Sequence, residues 1–295
     1  MIKLNLVNPE KSQIKYKISK FPDGQQTLDL IEWNDLLKYE DTVTISSRLN
    51  SFKDLELIIC AVQAIRNLKP SREIALYVPY FVGARSDRKF VEGGVNYLKQ
   101  VICPIINSLN LMSVVILDPH SDVLEACLNN YEKINNHYLV KYALSNIDNK
   151  NDAQERICLV SPDAGAYKKI FDVAKEFGIN NIITATKVRD IKTGDILKTE
   201  IPTLDIHSEL KYVIIDDICD GGRTFIELAK AIKESKPDAK VYLIVTHGIF
   251  SAGYTQLQEY FEQIYTTNSY KEIGDVETDS YGKLKATLIN QLNVF

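Results

Sequence analysis

Residues 211–235 read KYVIIDDICDGGRTFIELAKAIKES, and this stretch decides the fold. Tyr212 to Ile215 form a continuous apolar run of the buried-strand kind, closed by two adjacent carboxylates, Asp216 and Asp217. A short glycine-containing turn follows, after which Phe225, Leu228, Ala229 and Ile232 recur at helical spacing. The pattern predicts a strand, an acidic loop and a helix. Gly221 and Gly222 predict a backbone that turns through positive φ and lets a ligand come close. Thr224 suits an N-cap, and the amides opening the helix favour an anion such as phosphate. Asp216 and Asp217 only accept hydrogen bonds at neutral pH, which suits the vicinal hydroxyls of a sugar or a hydrated Mg2+. Together the two features describe a ribose phosphate held at both ends. The same residues also suit a plain strand-to-helix turn, with the aspartates capping the helix and the glycines making the turn.

The chain of 295 residues is long enough for two domains with separate cores. Its 45% hydrophobic and 25% charged content are those of a soluble globular protein. A net charge of −4 argues against nucleic acid as the main partner. No apolar run reaches membrane-spanning length, and MIKLNLVNPEKSQ has no signal-peptide core, so neither a membrane nor secretion is expected and the location is cytoplasmic. Cys60, Cys103, Cys127, Cys158 and Cys219 are widely spaced and read as reduced thiols. Cys219 lies in the acidic stretch, where neighbouring carboxylates oppose a thiolate.

Along the chain, Pro22-Asp23-Gly24 marks a turn between two strand-like runs, and Trp33 with Leu36-Leu37 begins a helical pattern. Thr42 to Ser46 and Ile74 to Val78 read as strands around an amphipathic helix at Leu55 to Leu68. The second strand runs into PYFVGARSDRKF, where Arg85, Arg88 and Lys89 at a strand end suit a polyphosphate or make a solvated turn. Glu92-Gly93-Gly94 reads as a flap. Residues 95–109 and 123–131 read as helices, and Ser113 to Leu117 as a strand ending in DPHSD, which places His120 between Asp118 and Asp122. The polar stretch SNIDNKNDAQE marks a boundary, giving domains 1–145 and 146–295. The second half repeats the rhythm of the first: Ile157 to Val160 precede SPDAGAYKKI, and TATKVRDIKTGDIL, with Lys187, Arg189 and Lys192, reads as a basic loop or hairpin. A strand at Val241 to Val245, a helix through Gln263 and mixed strands close the chain.

With these motifs in view, the chain resembles the ribose-phosphate pyrophosphokinase family. FPDGQ, VPYFVGARSDRK, LDPHSD, VSPDAGAYKK, TKVRD, IIDDICDGGRT and VTHGIFSAG follow the family's order across most of the length. The resemblance implies an α/β fold of two tandem phosphoribosyltransferase-like domains, each a mostly parallel sheet flanked by helices. The first domain would serve ATP, the second the ribose phosphate. It implies transfer of the β,γ-diphosphoryl group of ATP to C1 of ribose 5-phosphate, with Mg2+, in a homodimer or higher homo-oligomer. Phe21, Asp23 and Gln25 would reach a neighbour's adenine, and Arg85, Ser86, Asp87 and His120 would lie on the ATP. His120 and Asp163 would be associated with Mg2+ and ATP, Asp163 on the ribose-phosphate side. Lys187 and Arg189 would be catalytic. Asp216 and Asp217 would hold the ribose hydroxyls, and Asp220, Gly221, Gly222, Arg223 and Thr224 the 5-phosphate.

The chain also departs from the family's pattern. Gln25 and Ser86 replace the usual residues on the ATP side, FVEGGVNY replaces a basic stretch, and Asp-Gly-Gly-Arg-Thr replaces the usual Asp-Thr-Ala-Gly-Thr. A hydroxyl is lost, a glycine leaves room and Arg223 adds a bidentate donor. That loop suits ribose 5-phosphate, and equally a phosphodiester or diphosphate at C5, as in ADP-ribose. A phosphoribosyltransferase or a non-catalytic regulatory relative would leave the ATP-side and basic loops unexplained or lost.

Overall fold

A computed structural model of the chain describes residues 2–31, 41–148, 153–189, 196–204, 209–273 and 288–295. The helical pattern expected from Trp33, and Lys192, lie outside them. The chain divides into two compact units, Met1–Asn135 with Val294–Phe295, and Asn136–Asn293. A division after residue 145 would cut the helix His137–Ile147, whose Leu139, Val140, Ala143, Leu144 and Ile147 are buried in a core of the second unit.

In the first unit, β1 (Ile2–Asn5), β4 (Thr42–Ser46), β5 (Glu73–Tyr77), β6 (Ser113–Leu117) and β7 (Tyr131–Ile134) form one parallel sheet in the order β1-β4-β5-β6-β7. An antiparallel hairpin, β2 (Lys15–Lys20) and β3 (Gln26–Ile31), intervenes. Helix α1 (Phe52–Leu68) opens on a capping box between Ser51 and Asp54 and buries Leu55, Ile58, Ala61, Val62 and Ile65, as its spacing predicts. Residues 95–109 are not one regular helix. Leu98–Ile102 make a π-helical turn, in which the Cys103 N–H reaches back to Leu98 O, before α2 (Cys103–Ser108). Pro104, with no N–H to give, sits at the start of α2, where it interrupts no further bond. The expected helix at 123–131 is shorter: α3 (Val123–Cys127) ends, Asn130 turns the chain at φ 54°, and the next four residues become β7.

The second unit contains α4 (His137–Ile147), α5 (Ala153–Arg156), β8 (Ile157–Ser161), α6 (Tyr167–Phe177), β9 (Asn181–Thr184), β10 (Thr186–Arg189), β11 (Ile196–Glu200), β12 (Lys211–Cys219), α7 (Arg223–Ser235), β13 (Lys240–Gly248), α8 (Thr255–Gln258), β14 (Gln263–Thr267) and β15 (Ile289–Leu292). Six of the strands form a parallel sheet ordered β15-β14-β13-β12-β8-β9, while β10 and β11 pair separately as an antiparallel hairpin. Both faces are covered: Val213 and Ile215 pack with α4 and α6, Tyr212 and Ile214 with α7. A strand buried on both sides must be apolar throughout, which explains the unbroken Tyr212 to Ile215 run. The helix expected through Gln263 is only the four-residue α8, because Ile264 and Tyr265 are drawn into the sheet as the buried centre of β14. The two halves share the βα rhythm but not the winding. Strand order in the first sheet simply follows the chain; in the second it reverses, with β9 on one side of β8 and β12 on the other.

A buried ion cluster ties the entry of the second unit to this central strand. Asp148 accepts from Arg156 Nε and Nη2 at 2.8 and 2.9 Å and from Lys211 Nζ at 3.1 Å. Removing one partner strands buried charge, so Asp148→Ala should cost about 3 kcal/mol, read as a lower urea midpoint for the second unit's unfolding.

Candidate functional site

The reversal between β8 and β12 creates a crevice at the carboxyl ends of these strands, the place where open α/β sheets bind ligands. The acidic residues stand at its edge. They are not in a loop: β12 runs on through them, with Asp216 paired to Val245 and Ile218 to His247 of β13. Backbone pairing with β13, a strand of the same nine residues in length, and not side-chain polarity, sets the strand's end. Asp217 is buried and Asp216 partly exposed, and the Asp217 N–H donates to Asp216 Oδ1 at 2.9 Å. Burial and the adjacent Asp217 push the Asp216 carboxyl well above the usual carboxylate range, and Lys169 on α6 opposes this. Cys219 is buried next to Asp216 and Asp220, and these effects push its thiol up to about 12, so it stays protonated at neutral pH.

The glycine-containing turn follows at once. Only Gly222, at φ 81°, takes the left-handed conformation; Gly221 does not. Gly222 rather than Thr224 is the N-cap of α7, its carbonyl accepting from the Phe225 and Ile226 amides, so Arg223 and Thr224 occupy the first turn. A side chain at 222 would be strained by the positive φ and would press on Leu257 Cδ2, 3.1 Å from a would-be Cβ. At Gly221 the nearest atoms to a would-be Cβ are Ser251 Oγ and Ala252 Cβ, 3.9 and 4.0 Å away, so this side of the loop is open. Arg223 is exposed there. The chain after β13 braces the loop: Ser251 Oγ donates to Asp220 Oδ1 at 2.6 Å, and the Ile249 and Phe250 amides donate to Cys219 O. Ser251 was not singled out from sequence, although VTHGIFSAG was. A serine directly beyond a buried strand was the available signal.

Asp163 sits in the turn between β8 and α6 in the same unit. Its Oδ1 accepts from the Ala166 amide at 3.1 Å, and Ser161 Oγ donates to its carbonyl. Lys187 and Arg189 lie on β10, where Lys187 pairs with Thr199, and a register shift falls between Val188 and Arg189.

The remaining predicted residues belong to the first unit. Phe21, Asp23 and Gln25 form the exposed tip of the β2–β3 hairpin, closed by bonds between Phe21 and Gln25 and by Gln25 N–H to Asp23 Oδ1. Gln26 anchors the hairpin to α1 through Glu56 and Lys53 O. Phe21 is 52% exposed, an unusual place for a phenyl ring. Arg85 is exposed beyond β5, and the turn around it is fixed by the Ser86 amide on Gly83 O and by Asn96 Nδ2 on Asp87 O. His120 is exposed beyond β6, next to the buried Asp118 at φ 44°. His120 thus lies in the first unit and Asp163 in the second. Among the described residues no three or more His, Cys, Asp or Glu side chains converge as a metal cage. The Asp216–Asp217 pair still fits Mg2+: it offers hard oxygen donors at adjacent positions, and Mg2+ commonly takes one or two carboxylates and completes its shell with water and substrate phosphate.

Over its full length the architecture is similar to that of a solved phosphoribosylpyrophosphate synthetase from Mycobacterium smegmatis, with a TM-score of 0.71, 16% identity, and 97% of this chain and 88% of that one covered. The fold class is therefore α/β, two parallel sheets flanked by helices. No family model matches the chain. It is 28% identical over 237 residues to the ribose-phosphate pyrophosphokinase of Marinomonas sp. (strain MWYL1), covering 79% of this chain and 71% of that one. The corresponding protein of Vibrio parahaemolyticus is 24% identical over 286 residues, covering 94% and 87%, and that of Sulfolobus acidocaldarius 26% over 266, covering 87% and 84%. Over most of its length the chain is thus similar to ribose-phosphate pyrophosphokinases.

The raised Asp216 carboxyl has a direct consequence for stability. The folded state binds that proton more tightly than the unfolded one, so the ionised group destabilises the protein above its folded pKa, and the penalty fades as pH falls. Asp216→Asn should raise the Tm of the ligand-free protein by a few degrees at pH 7–8, and the gain should shrink in acid, as read by thermal unfolding across pH.

Proposed function

We propose that the chain transfers the β,γ-diphosphoryl group of ATP to the anomeric hydroxyl of a 5-phosphorylated ribose, releasing AMP, with ribose 5-phosphate as the default acceptor. The observation that carries this reading is the acidic pair directly followed by the opening turn of α7 at the reversal point of the second sheet. The similarity to ribose-phosphate pyrophosphokinases supports the reaction class.

In this reading Asp216 and Asp217 accept from the ribose hydroxyls, and Asp220 to Thr224 hold the 5-phosphate through the helix amides and Arg223. The anomeric oxygen attacks the β-phosphorus, the bond from that phosphorus to the oxygen of the α-phosphate breaks, and the hydroxyl proton is released to solvent. Lys187 and Arg189 supply positive charge where it is needed on the moving diphosphoryl group. Arg85, Ser86, Asp87 and His120 bind ATP, and Phe21, Asp23 and Gln25 take the adenine of a neighbouring copy. The exposed phenyl ring of Phe21 supports that role and a homo-oligomer. Mg2+ would neutralise phosphate charge when bound; His120 in the first unit and, separately, Asp163 and the acidic pair in the second are the residues that would be associated with it. The partners are small molecules, not nucleic acid or membrane; among the described residues no helix is long and apolar enough to cross a membrane. A cytoplasmic location goes with such substrates.

A second reading rests on the open side of Gly221 and the exposed Arg223. These suit a larger 5′ ester such as ADP-ribose, whose 1-diphosphate would go on to react with nicotinamide to give NAD. Ribose 5-phosphate and ADP-ribose, each with ATP and Mg2+, should be assayed in parallel for AMP release and new phosphorus resonances. Activity on ribose 5-phosphate alone removes the second reading, and activity mainly on ADP-ribose replaces the first. In either case Lys187→Ala and Arg189→Ala should each lower kcat about 100-fold or more with little change in KM; unchanged AMP release would remove the catalytic assignment.

A further inference from the structure

Beyond β5 the chain makes a closed excursion, from Gly83 out past Arg85 and back to Leu98, which is buried in the core of the first unit. Its ends meet side chain to backbone. The ring of Tyr97 lies on the bare Cα of Gly83: a Cβ built there would meet Tyr97 Cε1 at 2.8 Å and Cδ1 closer still. Gly83 also takes φ 75°, so this position needs glycine both for its backbone and for the ring above it. The Leu98 amide donates to Ser86 O at 3.3 Å, and Asn96 Nδ2 donates to Asp87 O at 2.7 Å. Asn96 serves both sides of this junction, because its Oδ1 accepts from the Lys99 amide at 2.9 Å where the helical stretch opens.

The Ser86 amide closes a tight turn on Gly83 O at 2.7 Å, in which Ala84 is buried and Arg85 is exposed. The far part of the excursion adds little packing. Phe90, Val91 and Val95 stand in solvent, and the Gly94 amide bonds back to Val91 O within the tip itself. The place of Arg85 is therefore set from the stem, where Tyr97 on Gly83 and Asn96 on Asp87 O hold the backbone two residues to either side of it.

We propose that Tyr97 and Asn96 are positioning residues for Arg85, holding its turn in the ligand-free protein in the form that meets the ATP phosphates. This rests on the reading in which Arg85 binds ATP. Neither residue touches the nucleotide in this scheme; both act through the backbone of residues 83–87. A turn held in advance spares the entropy that a loose loop would lose on binding, so its loss shows in ATP affinity rather than in the chemical step.

The test uses the full chain with Mg2+ and α,β-methylene-ATP, which binds without being cleaved. Tyr97→Ala and Asn96→Asp should each weaken its binding about tenfold, whereas Tyr97→Phe, which keeps the ring, should stay within about twofold of the wild type. Asn96→Asp retains the oxygen that accepts from Lys99 and loses only the donor to Asp87, so its Tm should stay near that of the wild type. In turnover, KM for ATP should rise about tenfold, with kcat and the acceptor KM within about threefold. In an Arg85→Ala background, Tyr97→Ala should add less than about twofold. Equal losses in both backgrounds, or unchanged affinity in Tyr97→Ala where Arg85→Ala is impaired, overturn the proposal. Trypsin digestion of the ligand-free proteins gives a readout independent of ATP. Cleavage after Arg85, Arg88 and Lys89, assigned from fragment masses, should be about tenfold faster in Tyr97→Ala than in the wild type or Tyr97→Phe. Unchanged cleavage overturns the proposal. Faster cleavage together with wild-type binding of the analogue by Arg85→Ala sustains the clamp on the turn and refutes the ATP reading of this loop instead.

Discussion

Two carboxylates side by side at the end of a strand buried on both faces form the constraint on which the second unit depends. Neither can move far, because the strand that carries them is anchored between β8 and β13 up to Ile214 and stays paired with β13 through Asp216 to Cys219. Like charges this close, with little water between them, are held at a cost, and the raised Asp216 carboxyl is its signature. The rest of the unit is arranged to hold such a strand. Tyr212 to Ile215 are almost wholly inaccessible, each side chain worth about 2 kcal/mol of burial, and the Asp148 cluster fixes the strand's first residue. A carboxylate pair that is unfavourable in the empty protein is one that gains most from a cation and from hydroxyl donors, so the strain is directed toward binding.

Much of this was legible in residues 211–235. The apolar run and the helical spacing each correspond to an element at the expected place, while the acids expected in a loop lie within β12, and the parallel sheet follows from strands too apolar to face water. The boundaries were less legible. That β12 extends through Asp216 depends on pairing with β13, a contact between residues about thirty apart in sequence, and no local pattern carries it. Gly222 displaced Thr224 as the N-cap because one left-handed residue decides where the chain turns, and two adjacent glycines do not say which of them it is. The helix expected at 95–109 is instead a π-helical turn running into α2, and the one expected at 123–131 was shortened by the turn at Asn130.

The contrast between the two sheets could not be read from sequence at all. Both halves show the same βα rhythm, and local periodicity is blind to which side of a strand its successor joins. In the first sheet each successor joins on the same side; in the second the chain places β9 on one flank of β8 and returns β12 to the other. That return opens a crevice between two adjacent strand ends, and the acidic pair and Asp163 both stand at it.

The loop after β12 shows how narrow the margin for specificity is. Its brace is made of backbone amides on Cys219 O and a hydroxyl on Asp220, which hold the turn from within the chain. What varies is the rim. A glycine that meets nothing closer than 3.9 Å and an exposed guanidinium at the first helical position admit and pair with more phosphate than a terminal one requires. In the proposed reading, a rim of this kind would alter which ester enters while the carboxylates below would go on gripping the same ribose face, so acceptor choice and ribose binding would be separable properties of one short turn.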